Sequence, residues 1–390
     1  MIIQSKLPNV GTTIFTVMSQ LALEHKAINL GQGFPDFDPD TRLLDAVNQA
    51  MRQGHNQYPA MPGVPALRHT IAKKVEQLYG KSYNPDTEIT VTSGATEALM
   101  ASIQAFVHRD DEVVVIEPFY DLYLPAIELA GGKPVVVSMD PPSVDKPKFS
   151  IDWKKVRAAI TPKTRLLIVN FPNNPTGINL TEQDLDNLEN IVKETDILVL
   201  SDEVYEHIVL NGEPHRSLAS RPVLAKNTVV VFSFGKTYNI TGWKIGYICA
   251  PAELTHELRK VHQFTVFTVP SPMQVGLAEF AADPEPYVSL PAFYQKKHDL
   301  LYNGLKNTAF KPLRSEGTFF LLADYSAVSD LPQAEFAQWL TKEHGVTVIP
   351  VSAFYAQPKR FDQEHKLIRF CFAKKDETLF AALNRLQKVM

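Results

Sequence analysis

A lysine set directly after a buried strand is a candidate nucleophile, and VVVFSFGKTYNITGWKIGY, residues 229–247, puts Ser233 and Lys236 in that position. Desolvation there disfavours the ammonium form and frees the amine to attack. Taken alone, Lys236 also reads as a solvated loop lysine, as most lysines are. In LVLSDEVYEH, residues 198–207, an apolar run delivers Asp202 to a strand end, with Tyr205 three residues on. A carboxylate emerging from a buried strand is costly unless paired, so a cationic partner is expected. Asp202, Glu203, Glu206 and His207 could in principle hold a metal, but without HExxH spacing or a second histidine cluster this is the weaker reading.

Three further segments carry candidate polar groups. TVTSGATEAL, residues 90–99, runs a strand into Ser93, Gly94, Ala95 and Thr96 at the mouth of a helix. Bare amides and hydroxyls at a positive helix end suit a phosphate, although an ordinary strand-to-helix turn would look the same. In NFPNNPTG, residues 170–177, prolines shape the loop while Asn173 and Asn174 can donate hydrogen bonds. Arg369 sits in LIRFCFA, where a permanent charge needs an anion, either an internal carboxylate or that of a ligand. GQGFPDF, residues 31–37, lacks the third glycine and the following helix of a dinucleotide fingerprint.

Positioning these groups requires a sheet. Seven segments read as strands: 88–92, 112–116, 134–138, 165–170, 197–201, 228–233 and 244–250. Several are apolar on consecutive positions, as expected where helices cover both faces of a parallel sheet. Ligands of open α/β sheets lie just past the carboxyl ends of strands, where four of the motifs fall. Helices are expected at 63–78, ending at Gly80, at 96–107, and at 181–193, where Thr181 and Asp184 form a capping-box pattern before Leu185, Leu188 and Ile191. After about residue 270 the pattern becomes α+β, with helices at 287–305, 333–343 and 376–389 and strands at 318–322 and 368–372. The division expected is an N-terminal segment, 1–40, packing on both domains, a large domain, 41–275, and a small one, 276–390.

The 390 residues suggest roughly two domains. With 45% hydrophobic residues, disorder is excluded. A net charge of −4 gives no footprint for nucleic acid or an anionic membrane surface. Cys249 and Cys371 lie in apolar runs and read as core thiols. No apolar run reaches 18 residues and the start has no signal-peptide pattern, so a soluble cytoplasmic protein is expected.

Together GQGFPDF, NQYPAMPGVPALR, NNPTG, SDEVYEH and SFGKTYNITGWKIGY resemble the fold-type I, class I pyridoxal-phosphate aminotransferases over essentially the whole chain. Within them the sequence looks most like the kynurenine/glutamine-transaminase branch and its bacterial methionine aminotransferases. The resemblance implies an α/β fold, a mainly parallel seven-stranded sheet between helices with a smaller α+β domain, and pyridoxal 5′-phosphate as cofactor. It implies that Lys236 forms the Schiff base and shuttles the substrate α-proton, that Asp202 pairs with the pyridinium nitrogen, and that Tyr205 and Asn174 bond the ring hydroxyl. Gly94, Ala95, Thr96, Ser233 and Lys244 match phosphate-binding positions, Lys244 standing where arginine is usual. Tyr58 would reach across from a neighbouring subunit, so a homodimer with shared sites is implied. Tyr120 matches the aromatic that stacks on the ring.

Arg369 matches the arginine that grips the substrate carboxylate, assisted by Asn174 and the Gly33 amide, with Phe15, Phe34 and Tyr120 lining the side-chain pocket. Without a motif for a second arginine, the expected donor is neutral: methionine, an aromatic residue, glutamine or kynurenine, exchanging with a 2-oxo acid. The same resemblance leaves open a carbon–sulfur β-lyase and a non-catalytic cofactor-binding regulator. No metal, nucleic-acid or membrane partner is expected.

Overall fold

The computed structural model describes residues 3–143 and 146–389. Met1, Ile2 and Met390, the outer ends of the expected first and last segments, lie outside the described residues. All seven expected strands pair in one sheet: β1 (Ile89–Thr92), β2 (Glu112–Glu117), β3 (Lys133–Ser138), β4 (Thr164–Asn170), β5 (Leu198–Asp202), β6 (Thr228–Ser233) and β7 (Gly246–Cys249). Their spatial order is β1-β7-β6-β5-β4-β2-β3. Pairing is parallel except at β7, which runs antiparallel to β1 and β6. The sheet is mainly parallel, as the resemblance implies, and β7 is its reversed strand. The reversal brings the amino end of β7, with Lys244 just before it, to the rim where the other strands end. There Gly246 pairs with Ser233 and Thr92. A Cβ on Gly246 would lie 2.6 Å from the Phe232 carbonyl oxygen and 3.0 Å from the Ala95 amide nitrogen, so only glycine lets the strand approach so closely.

Consecutive apolar residues in the strands serve two cores. In β4, Leu167 and Val169 join a cluster with Leu185, Leu188 and Ile191 of the helix Glu182–Glu194. Leu166 and Ile168 face the opposite layer, built on Ala98, Leu99 and Ile103 of the helix Gly94–Phe106. The two-residue alternation of a strand thus needs apolar side chains on both faces. Local signals fix the helix ends as expected. Thr181 and Asp184 close a reciprocal capping box, and Gly80 ends the helix Pro65–Tyr79 at φ +68°.

A second, four-stranded antiparallel sheet centres on Phe320–Asp324 and Leu367–Cys371, in a register that sets Arg369 opposite Leu322. Helices Leu290–Leu305, Gln333–His344 and Asp376–Leu386 accompany it. The N-terminal segment supplies a helix, Ile14–Glu24, and a short strand, Ile28–Asn29, that pairs in parallel with Val346–Thr347. Next to that strand, the Cys371 amide donates to the Leu30 carbonyl. The segment is thereby laid along the rim of the cavity described below.

Candidate active site

A cavity of about 430 Å³ opens at the carboxyl ends of β4, β5 and β6 and the amino end of the helix Gly94–Phe106. Gly94, Ala95, Thr96, Tyr120, Asn174, Asp202, Tyr205, Ser233, Lys236, Lys244, Arg369, Gly33 and Phe15 all line it. Residues up to 338 apart are hydrogen-bonded around it.

At one end stands an anion site. Gly94 adopts φ +69°, and a Cβ there would lie 3.3 Å from Lys244 Cε, so glycine leaves room for the ammonium. Lys244 Nζ donates to Thr96 Oγ1 at 3.0 Å. Ser233 adds its hydroxyl to the wall while accepting from the Lys236 amide at 3.3 Å. A helix amino end, hydroxyls and an ammonium together suit a phosphate group. Lysine gives that site a point charge without the bidentate fork of arginine.

Asp202 lies deep in the cavity wall, buried at the end of β5. Tyr123 Oη donates to its Oδ2 at 2.6 Å and the Val204 amide to Oδ1 at 3.4 Å. Burial pushes its pKa up to about 6 in spite of these donors and the Lys236 charge. The cationic partner expected from the sequence is not an adjoining side chain; the nearest donor is a phenol. A carboxylate so placed, facing a cavity with a phosphate site, fits a heteroaromatic ligand that carries a protonated ring nitrogen.

Lys236 also projects into this space. Its Nζ donates to the Gly33 carbonyl at 3.0 Å and stands 5.6 Å from the Tyr205 ring centroid. Burial pulls its pKa down to about 8, with Arg369 and Lys244 adding to the fall. The amine is accordingly a far better nucleophile near neutral pH than a solvated lysine.

Arg369 is 1% exposed. Its Nη1 donates to Asn174 Oδ1 at 2.6 Å and its Nη2 to the Gly31 carbonyl at 2.8 Å, both uncharged acceptors. Its buried Nε has no partner among the described residues. The guanidinium lies 3.8 Å from the Phe320 ring centroid, with Phe354 and Phe15 at 4.9 and 5.4 Å. Burial lowers its pKa to about 10, so it stays charged at neutral pH. A buried cation held by neutral groups is suited to an incoming carboxylate.

Of the expected residues, Phe34 is elsewhere, and Tyr58 lies outside this chain's cavity as its expected role toward a neighbouring subunit requires. Phe34 is 45% exposed and does not line the cavity; its carbonyl accepts from Lys374 Nζ at 2.7 Å, and the same ammonium covers its ring. Tyr58 is 85% exposed and rests edge-on against Phe267, also outside this chain's cavity. Of two neighbouring aromatic residues, Phe119 is core and Tyr120 lines the cavity.

The acidic run after Asp202 serves the fold. Glu203 accepts from Ser201, His215 and the Leu218 amide. Glu206 accepts from Lys74 Nζ and Tyr79 Oη, both at 2.5 Å. Burial pushes the His207 pKa down to about 4, so at neutral pH Lys74 is the charge that keeps Glu206 ionised. Breaking a buried pair leaves an uncompensated charge. Lys74→Met is therefore expected to cost about 3–5 kcal/mol of stability, read from urea unfolding. A loss below about 1 kcal/mol would show that Glu206 simply takes up a proton.

Sequence reasoning missed Tyr123, Asp121, Thr13 and Phe320. Tyr123 follows Tyr120 at one-turn spacing at a helix start, the only local hint of its place. Asp121 lines the cavity, and burial raises its pKa against the opposing pull of Arg369.

The family model for aminotransferase class I and II matches residues 25–386. The chain is 50% identical to the methionine aminotransferase of Escherichia coli K12, covering 99% of this chain and 98% of the relative. It is 35% identical to kynurenine–oxoglutarate transaminase 1 of Rattus norvegicus, covering 98% and 97%. A solved structure of YbdL from Escherichia coli, described as having a methionine aminotransferase function, superposes with a TM-score of 0.95 at 50% identity over 100% of both chains.

Proposed function

From the premise that this chain belongs to the class I and II aminotransferases, pyridoxal-phosphate-dependent enzymes of fold type I, we propose that its donor is a neutral L-amino acid, methionine foremost. The amino group passes to a 2-oxo acid. The observation that carries this reading is the cavity's charge pattern. Arg369 is the one arginine in the described wall, and Asp121 adds an acid to it. One arginine is enough for the α-carboxylate that every donor carries, and none is left for an acidic side chain. Phe15 and Phe320 offer that side chain apolar surface, and the 50% identity to a methionine aminotransferase agrees with it.

Pyridoxal 5′-phosphate supplies an aldehyde that captures the amine and a ring that accepts electrons as the α-proton leaves. The residues divide the rest of the work. Gly94, Ala95, Thr96, Ser233 and Lys244 would hold the phosphate, and Tyr120 would cover the ring. Asp202 would keep a proton on the ring nitrogen. Tyr205 and Asn174 would donate to the ring hydroxyl; Asn174 uses its oxygen on Arg369, which leaves its amide nitrogen to donate. Lys236 would anchor the cofactor, and its amine would carry the proton at the substrate α-carbon. Arg369, with Asn174 and Gly33, orients the substrate carboxylate and so selects which bond at the α-carbon breaks.

Tyr58, exposed here, is assigned to the neighbouring subunit's phosphate site, making the functional unit a homodimer. The chain divides on this reading into a segment, 1–40, a large cofactor-binding domain, 41–275, and a small domain, 276–390. Two free buried thiols, Cys249 and Cys371, favour a reducing compartment such as the cytoplasm.

A donor screen against several 2-oxo acids tests the proposal. Methionine is expected to exceed aspartate in kcat/KM by at least about a hundredfold, the cost of leaving a carboxylate unpaired in an apolar pocket. Aspartate turning over as well as methionine would overturn it, as would pyruvate and ammonia forming from a cysteine conjugate faster than any 2-oxo acid forms from methionine.

A further inference from the structure

We infer that Tyr123 is a positioning residue that ties the Asp202 carboxylate and the Tyr120 ring, both in the cavity wall, into one unit. The inference rests on the site reading above and adds to it a residue that lies outside the cavity wall. Tyr123 is 1% exposed and opens the helix Tyr123–Ala130, whose Ala126 and Ile127 are also buried. Its hydroxyl reaches Asp202 Oδ2 at 2.6 Å, the shorter of the two hydrogen bonds to that carboxylate. Its ring meets Tyr120 edge-on, with centroids 5.9 Å apart and planes at 85°. Each contact alone is ordinary packing, since a buried phenol seeks an acceptor and aromatic rings meet at edges. Together they join two groups 82 positions apart in the chain, 120 and 202, through one rigid side chain. A displacement of the Tyr123 side chain as a whole is felt at both groups.

The hydroxyl also has an electrostatic effect. It donates to the charged form of a carboxylate that burial drives toward neutrality. Removing the hydroxyl shifts Asp202 toward its neutral acid, which holds the proton itself and no longer keeps it on the ring nitrogen. A ring with an unprotonated nitrogen is a poorer electron acceptor and is bound less tightly.

Tyr123→Phe keeps the ring and deletes the hydroxyl. In the reconstituted enzyme kcat for methionine is expected to fall on the order of tenfold with KM within about twofold. The dissociation constant for pyridoxal phosphate, measured on apoprotein by fluorescence, is expected to rise on the order of tenfold. The pH midpoint of the bound cofactor's visible absorption moves upward, because an unprotonated ring nitrogen makes the linkage to Lys236 more basic. In the background of Asp202→Asn, adding Tyr123→Phe is expected to change these readings little, since the two act as one unit. A wild-type midpoint and dissociation constant in Tyr123→Phe would overturn the inference, as would fully additive effects in the double variant, or a loss confined to apoprotein stability. Failure of the site reading is distinct: peptide mass mapping of the wild type would then find Lys236 unmodified by the cofactor.

Discussion

Replacing Lys236 by alanine is expected to leave a folded protein with no covalently held pyridoxal phosphate and with transamination reduced by about 10⁴-fold or more. The reason is geometric as well as chemical. Lys236 Nζ is held inside the cavity by the Gly33 carbonyl, at 3.0 Å, with the acid Asp202 and the cation Arg369 in the same wall. On the reading proposed above, the same amine anchors the cofactor and carries the α-proton, so a single truncation removes both roles. Tryptic mass mapping and visible absorbance report the anchor, and a coupled assay reports turnover. Retention of either the visible band or more than about one hundredth of wild-type turnover would defeat the assignment. The same side chain predicts a pH dependence for rebuilding the enzyme from apoprotein. Burial lowers the lysine pKa to about 8, and only the neutral amine attacks an aldehyde. The rate of cofactor attachment is therefore expected to climb with pH and level off above about 8, whereas a solvated lysine would still be climbing there.

Arg369→Lys is expected to lower kcat/KM for methionine on the order of 10³-fold, or about 4 kcal/mol, while pyridoxal phosphate remains bound. Lysine keeps the charge but loses the planar fork. It cannot satisfy Asn174 Oδ1 and the Gly31 carbonyl, which Arg369 meets at 2.6 and 2.8 Å, and still present donors to a ligand carboxylate. The flat guanidinium also fills the space between Phe320, Phe354 and Phe15, which an ammonium on a flexible stem does not reproduce. Most of the loss is expected in KM, because carboxylate binding is shared by ground state and transition state. An unchanged KM, with the loss confined to kcat, would show that Arg369 does not hold the substrate carboxylate.

These two groups illustrate different kinds of legibility. The strand before Lys236 is written in consecutive residues, VVVF, and its end is marked by Ser233, which caps the short helix Phe234–Thr237. Arg369 was legible as a problem, a charge amid Leu367, Ile368, Phe370 and Phe372. Among the described residues no internal carboxylate accepts from it; its protein acceptors are a side-chain amide and a peptide carbonyl. The acidic run at Asp202 was legible in the same incomplete way. Its charges were visible, but the ammonium that neutralises Glu206 belongs to Lys74, 132 residues earlier, and the donor to Asp202 belongs to Tyr123, 79 residues earlier. Phe34 shows the converse. Its motif placed it near the substrate, while Lys374, 340 residues later, holds its carbonyl and covers its ring.

The sequence by itself determined the seven strands of the main sheet, the capping box at Thr181 and the identity of the groups at strand ends. All of these depend on periodicity and turn chemistry within about ten residues of one another. Only the tertiary structure decided the reversed direction of β7, which carries Lys244 to the same rim as Gly94, and the partner of every buried charge. Direction and partnership arise from contacts between segments far apart in the chain. The free energy of burying a charge depends on which distant group meets it, and a local pattern records the charge without recording its partner.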